Sequence, residues 1–188
     1  MLTLVTGGSG SGKSAFAEDR VLSFGDAQRI YIATMHPFDE ESHKRIERHQ
    51  KMRAGKGFET VECYTGLKNV KLPAGCVVLL ECMSNLAANE MFSREQPVDR
   101  ETVIAKILQG IEVLRKQADP LVIVTNNVFE DGIAYDSATI EYIEALGRVN
   151  ERLAAEADEV VEVVAGIPQR IKPGSPGAKA QNRQDSRG

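Results

Sequence analysis

Gly7-Gly8-Ser9-Gly10-Ser11-Gly12-Lys13-Ser14 fits the pattern G-x-x-x-x-G-K-[ST] in full. No other stretch limits the fold so strongly. Such a loop folds its backbone tightly so that successive N–H groups meet phosphate oxygens, and it does so between a buried strand and a new helix. Both neighbours are present. The apolar run Leu2–Val5 precedes the loop, and a helix pattern over residues 13–22 follows it. Lys13 supplies a point charge for the β- and γ-phosphates, and the Ser14 hydroxyl is a ligand for Mg²⁺. Nucleoside triphosphate binding is the first expectation.

Further apolar runs predict strands at Arg29–Ala33, Glu59–Cys63, Val77–Leu80, Leu121–Thr125 and Glu159–Val164. Several are near-continuous Val/Ile/Leu, as in strands covered on both faces. Helix patterns fall at 39–53, 99–117 and 137–156. In the second of these, Val103, Ile104, Ile107, Leu108, Ile111 and Leu114 form one apolar face. Asp136 or Ser137 is placed to cap the last. Strand–helix alternation predicts a three-layer α/β fold with a mostly parallel sheet flanked by helices.

The 188 residues suffice for one domain that needs no disulfide or metal to hold its core. Cys63, Cys76 and Cys82 make an odd count without a C-x-x-C pair, which speaks for a reduced, cytoplasmic setting. The 23 basic and 27 acidic residues leave no nucleic-acid footprint, and no apolar run matches a membrane span. The net charge of −4 is uneven. From Arg170 to Gly188 there are five basic residues and one acidic residue, with Pro173 and Pro176 among them. A catalytic domain over 1–172 and a flexible basic tail over 173–188 are expected.

Two further signals bear on chemistry. Val77-Val78-Leu79-Leu80 ends in Glu81, a strand-end carboxylate able to hold Mg²⁺ or its water. His36, His43 and His49 lie close together in sequence. His43 and His49 point about 240° apart on a helix, so they make a poor metal pair. By composition alone, His49 belongs to a highly charged helix and reads as a surface histidine.

The ordered segments together resemble the bifunctional adenosylcobinamide kinase/adenosylcobinamide-phosphate guanylyltransferase family. The resemblance runs from Leu2 to about Ile167. It rests on Val5-Thr6-Gly7-Gly8 leading into the glycine-rich loop, Tyr31-Ile32-Ala33-Thr34, Arg45-Ile46-Glu47-Arg48-His49, Val61-Glu62-Cys63, and Leu79-Leu80-Glu81-Cys82 with Asn89 beyond. Val124-Thr125-Asn126, Gly147-Arg148-Val149-Asn150-Glu151-Arg152-Leu153-Ala154 and Ala157-Asp158-Glu159-Val160 complete it. The resemblance implies a RecA-like sheet, a homotrimer, Mg²⁺, and GTP and ATP as substrates beside a corrinoid. It implies that His49 attacks the α-phosphate of GTP and carries a covalent guanylyl group. It implies nucleotide contacts at the glycine-rich loop, at Ala33, Thr34 and Met35, at Gln50, Lys51, Met52 and Arg53, and at Glu62 and Glu81. Lys51 and Arg53 would pair with phosphates; Glu62 also reads as a cross-strand charge partner.

The chain departs from the family pattern in places. Gly10 stands where the family usually has arginine. Residues Asn127–Tyr135 replace a Glu-Val-Gly continuation, Ala138–Leu146 lack the usual arginines, and the stretch after Glu81 has no tryptophan. Two other functions fit the loop alone: a small P-loop kinase for a different alcohol, and a GTP-binding regulatory module without catalysis.

Overall fold

The computed structural model describes residues 1–93, 95–126 and 135–174. The chain runs β1 (Leu2–Thr6), α1 (Lys13–Leu22), β2 (Arg29–Ala33), α2 (Glu40–Arg53), β3 (Phe58–Glu62), a 3-10 turn (Leu67–Asn69), β4 (Val77–Glu81) and α3 (Met83–Phe92). It continues through α4 (Arg100–Gln117), β5 (Leu121–Val124), α5 (Ser137–Glu156), β6 (Glu159–Val164) and β7 (Ile167–Lys172). One sheet holds all seven strands in the order β3-β2-β4-β5-β1-β6-β7. Every pairing is parallel except β6 with β7.

Strand alternation sends neighbouring residues to opposite faces. Val78 and Leu80 of β4 pack into one apolar cluster with α3, α4 and α5. Val77 and Leu79 pack into a second cluster with Ala17 and Val21 of α1. The sheet is thus covered on both sides, which is why its strands read as unbroken apolar runs.

Six strands and four helices lie where the sequence predicts them, within a residue or so at their ends. Two elements were not anticipated. α3 has Cys82 at its N-cap with no side-chain cap, and Met83, Leu86, Ala87 and Met91 are buried. It lacks the polar face that marks a helix in sequence. β7 is an exposed antiparallel edge strand containing Pro168, so it shows no apolar run from which a strand could be read. The expected tail over 173–188 lies outside the described residues from position 175 onward. Among the described residues, no helix is long and apolar enough to cross a membrane.

α2 is held differently from the other helices. Asp39 caps it, accepting from the Ser42 N–H, while the Ser42 hydroxyl answers the Asp39 N–H. Its one buried residue is Arg53. Just beyond it, the Lys56 ammonium lies 2.7 Å from the carboxylate of Glu18, which is fully buried on α1. Charge pairing and a stacked guanidinium replace an apolar stripe. Lys56→Ala is expected to cost about 2–3 kcal/mol, since it leaves Glu18 buried without its counter-charge. A fall in the denaturant midpoint measures it, and an unchanged midpoint means that the pair holds nothing.

Candidate active site

β1 delivers the glycine-rich loop to the carboxyl edge of the sheet. Gly7 has φ +151°, and a Cβ there would lie 2.5 Å from the Val163 carbonyl oxygen. Only glycine fits so close to β6. Gly12 caps α1 from the left-handed region without a side-chain bond, which leaves the first N–H groups of the helix free for an anion. The Gly166 N–H donates to the Ser11 carbonyl at 2.8 Å, so the turn between β6 and β7 braces the loop.

Lys13 crosses the loop, its ammonium donating to the Gly8 carbonyl at 2.9 Å. Burial pulls its pKa below the ordinary value, while Cys82 and Glu81 oppose that shift. The Ser14 hydroxyl donates to Glu81 Oε1. Glu81 Oε2 is buried with no hydrogen-bond partner. Burial raises the Glu81 carboxyl, and the Ser14 hydrogen bond and the charges of Lys13 and Arg53 pull it back. A hydroxyl, a carboxylate and a spare buried oxygen side by side suit a hard divalent cation that also binds phosphate. Among the described residues, no group of three His, Cys, Asp or Glu could hold a metal alone.

The same carboxyl edge opens into a cavity of about 810 Å³. Ligands of α/β sheets bind in this position, outside the carboxyl ends of the strands. α2 forms one wall. His49 is turned inward, 14% exposed, with Nδ1 3.7 Å from Glu81 Oε1. The surface histidine expected from composition is therefore corrected: the apolar content of α2 is low because its inner face lines a polar cavity. Burial lowers the His49 pKa from 6.5, and the charges of Arg48 and Arg53 lower it further. The imidazole is neutral at neutral pH, the form in which it is a nucleophile. Arg53 places its guanidinium carbon 3.4 Å from the centre of the Tyr31 ring, and its Nη1 is buried without a partner.

The cavity gathers most of the predicted residues. Ser9, Gly10, Ser11, Gly12, Lys13 and Ser14 line it, as do Ala33, Met35, His49, Gln50, Met52, Arg53, Glu62 and Glu81. Gly7 and Gly8 shape the loop behind it. Thr34 is fully buried, with its hydroxyl donating to the Cys82 carbonyl and accepting from the Cys82 N–H. Lys51 turns to Glu47 at 2.8 Å on the exposed side of α2, so it does not line the cavity. Glu62 accepts from the Tyr64 hydroxyl at 2.8 Å, and burial together with this hydrogen bond pushes the Tyr64 pKa up to about 12. Sequence reasoning missed Arg45, Arg48, Tyr31, Ser84, Asn85, Asn126 and Tyr142, all on the cavity wall. Arg45, His49 and Arg53 follow one another at intervals of four, and Arg48 stands three after Arg45, a helical spacing that was there to be read.

A helix-flanked, mostly parallel sheet with its cavity above a glycine-rich strand–loop–helix resembles the folds of P-loop NTPases. In keeping with this, a prototypical ATPase from a bacterial type III secretion system superposes with a TM-score of 0.51. That match has 10% identity and covers 86% of this chain and 50% of the other. Sequence comparison is more specific. Residues 3–171 match the family model described as cobinamide kinase / cobinamide phosphate guanyltransferase, and the chain belongs to that family. It is 34% identical to the bifunctional adenosylcobalamin biosynthesis protein CobU of Salmonella typhimurium, over 92% of this chain and 100% of the relative. The protein of the same description from Escherichia coli is likewise 34% identical, with the same coverage. Membership places the chain among enzymes of kinase and nucleotidyl-transfer chemistry.

Proposed function

We propose that the protein phosphorylates adenosylcobinamide and then transfers GMP from GTP to adenosylcobinamide phosphate, giving adenosylcobinamide-GDP. The proposal includes a RecA-like P-loop domain, a homotrimeric assembly, and ATP or GTP as phosphoryl donor. The observation that carries it is the inward-facing His49, beside Glu81 in the cavity that the glycine-rich loop also lines. A neutral imidazole next to a phosphate cradle is what covalent nucleotidyl transfer requires.

The first half-reaction forms an N–P bond between the imidazole and the α-phosphorus of GTP. The bond from that phosphorus to the bridging oxygen breaks, and pyrophosphate leaves. Nδ1 faces Glu81, which leaves Nε2 as the attacking nitrogen. The second half-reaction breaks the N–P bond as a phosphate oxygen of the acceptor attacks. In the kinase step, Lys13 neutralises charge on the transferred phosphoryl group. Mg²⁺, held by Ser14 with Glu81 close by, would supply charge neutralisation on the triphosphate. Arg45, Arg48 and Arg53 surround the histidine with the positive charge that a departing pyrophosphate needs.

Protein incubated with α-labelled GTP and Mg²⁺ is expected to retain label that acid releases and base does not. A chase with adenosylcobinamide phosphate should move it to the corrinoid. No label, together with turnover of some other alcohol, would replace this reading by that of a simple kinase. GTP binding without label or turnover would replace it by a binding module.

The labelling rate should depend on pH in a defined direction. The neutral form of His49 reacts, so the rate is flat above pH 6.5 and falls as pH drops through the lowered pKa. Arg48→Ala removes a charge that holds that pKa down, so its acid limb should move to higher pH. A pH–rate profile for both proteins checks this, and an unmoved limb removes Arg48 as a cause.

A further inference from the structure

The buried polar atoms without a hydrogen-bond partner include Ser11 Oγ, His49 Nδ1, Arg53 Nη1, Glu81 Oε2 and Asn126 Oδ1, all on residues of the same cavity. The first four belong to the loop, to the α2 wall or to the end of β4. Asn126 does not. It follows β5, and its Nδ2 donates to the Ser84 hydroxyl of α3 at 2.8 Å. Ser84 Oγ also lies 3.1 Å from Cys82 Sγ, and the Ser84 carbonyl accepts from the Tyr142 hydroxyl of α5 at 3.1 Å. Asn85 lines the cavity next to them. An unmet buried acceptor is costly to keep. Here the donor side of the amide is spent on Ser84, so the amide oxygen is held open to a donor.

This group stands across the site from the histidine. His49 and Arg53 approach from the α1–α2 side of the sheet, where Arg53 stacks on Tyr31. Ser84, Asn126 and Tyr142 belong to the α3–α5 side. β5, which Asn126 follows, lies beside β1, which carries the glycine-rich loop. We infer that Asn126, braced by Ser84, accepts the hydrogen bond of the alcohol that is phosphorylated, and that this substrate enters on the α3–α5 side. The inference rests on the kinase half of the function proposed above. The hydroxyl oxygen forms its new bond to the γ-phosphorus, and the bond from that phosphorus to the β–γ bridging oxygen breaks. The nucleoside diphosphate leaves, and the hydroxyl proton passes to solvent. The amide oxygen orients the hydroxyl and takes no proton.

Asn126→Ala tests this in the full-length protein. The expected result is a 10- to 100-fold loss in kcat/KM for adenosylcobinamide phosphorylation, with the KM for nucleotide moved less than twofold. Ser84→Ala, which frees the amide to turn, should lose about tenfold in the same parameter. Guanylyl label per subunit from α-labelled GTP serves as the folding control for both variants. Wild-type kinetics for the alcohol in Asn126→Ala would overturn the inference and leave the proposed function standing. Equal losses for nucleotide and alcohol would also overturn it, since they would put Asn126 on the phosphates. Failure of the wild-type protein to phosphorylate adenosylcobinamide would overturn the function itself, and the inference with it.

Discussion

His49→Ala is expected to take up no guanylyl label from α-labelled GTP, while the wild-type protein is labelled on up to one site per subunit. The effect is all or none because, in the proposed mechanism, the bond to phosphorus forms on that ring. The neighbouring His43 cannot substitute. His43 lies on the same cavity wall but is six residues away, about 240° around the helix. Its Nδ1 is 2.7 Å from the Asp39 carbonyl. The variant should fold normally, since α2 is fixed by the Asp39 cap, Arg53 on Tyr31 and Lys56 on Glu18. Phosphorylation of the alcohol should suffer far less than labelling. Full labelling of the variant would defeat the histidine assignment.

Lys13→Ala should lower phosphoryl transfer by about 10³-fold, or ~4 kcal/mol of barrier. The ammonium does two things that no neighbour can replace. It straps the loop through the Gly8 carbonyl, and it is the cation of the loop itself. With glycine at position 10, the loop carries no second positive charge. The Lys13 charge also opposes the upward shift that burial imposes on Glu81, so its loss should disturb that neighbour as well. Nucleotide affinity and kcat/KM measured together check the prediction. Unchanged affinity would remove the loop from nucleotide binding.

The parallel sheet and four of its helices were legible because burial on two faces writes itself into composition. A strand like Val77–Glu81 is apolar at every position but the last, and α4 repeats its apolar residues at helical spacing. The same logic explains the omissions. α3 is too thoroughly buried to show a polar face, and β7 too exposed to show an apolar one. The loop and Glu81 could be read because their chemistry is local. His49 was ambiguous because sequence does not tell a solvent-facing charged helix from one that faces a polar cavity. Resemblance pointed to the residue, and the turn of α2 toward Glu81 supplies the physical reason. The grouping of Ser84, Asn126 and Tyr142 was invisible, although Asn126 closes a segment that carries the resemblance, since three elements far apart in sequence bring them together.

The sheet is a partition between two apolar layers, one under α1 and one under α3, α4 and α5. Side chains on opposite faces of a sheet share few contacts, and stability changes at such separated sites add. Mutational drift can therefore proceed in one layer without being felt in the other. Selection on the α3–α5 layer is free to explore new partners for the phosphate while the histidine wall stays as it is. A lineage of such chains could change what it modifies before it changes how.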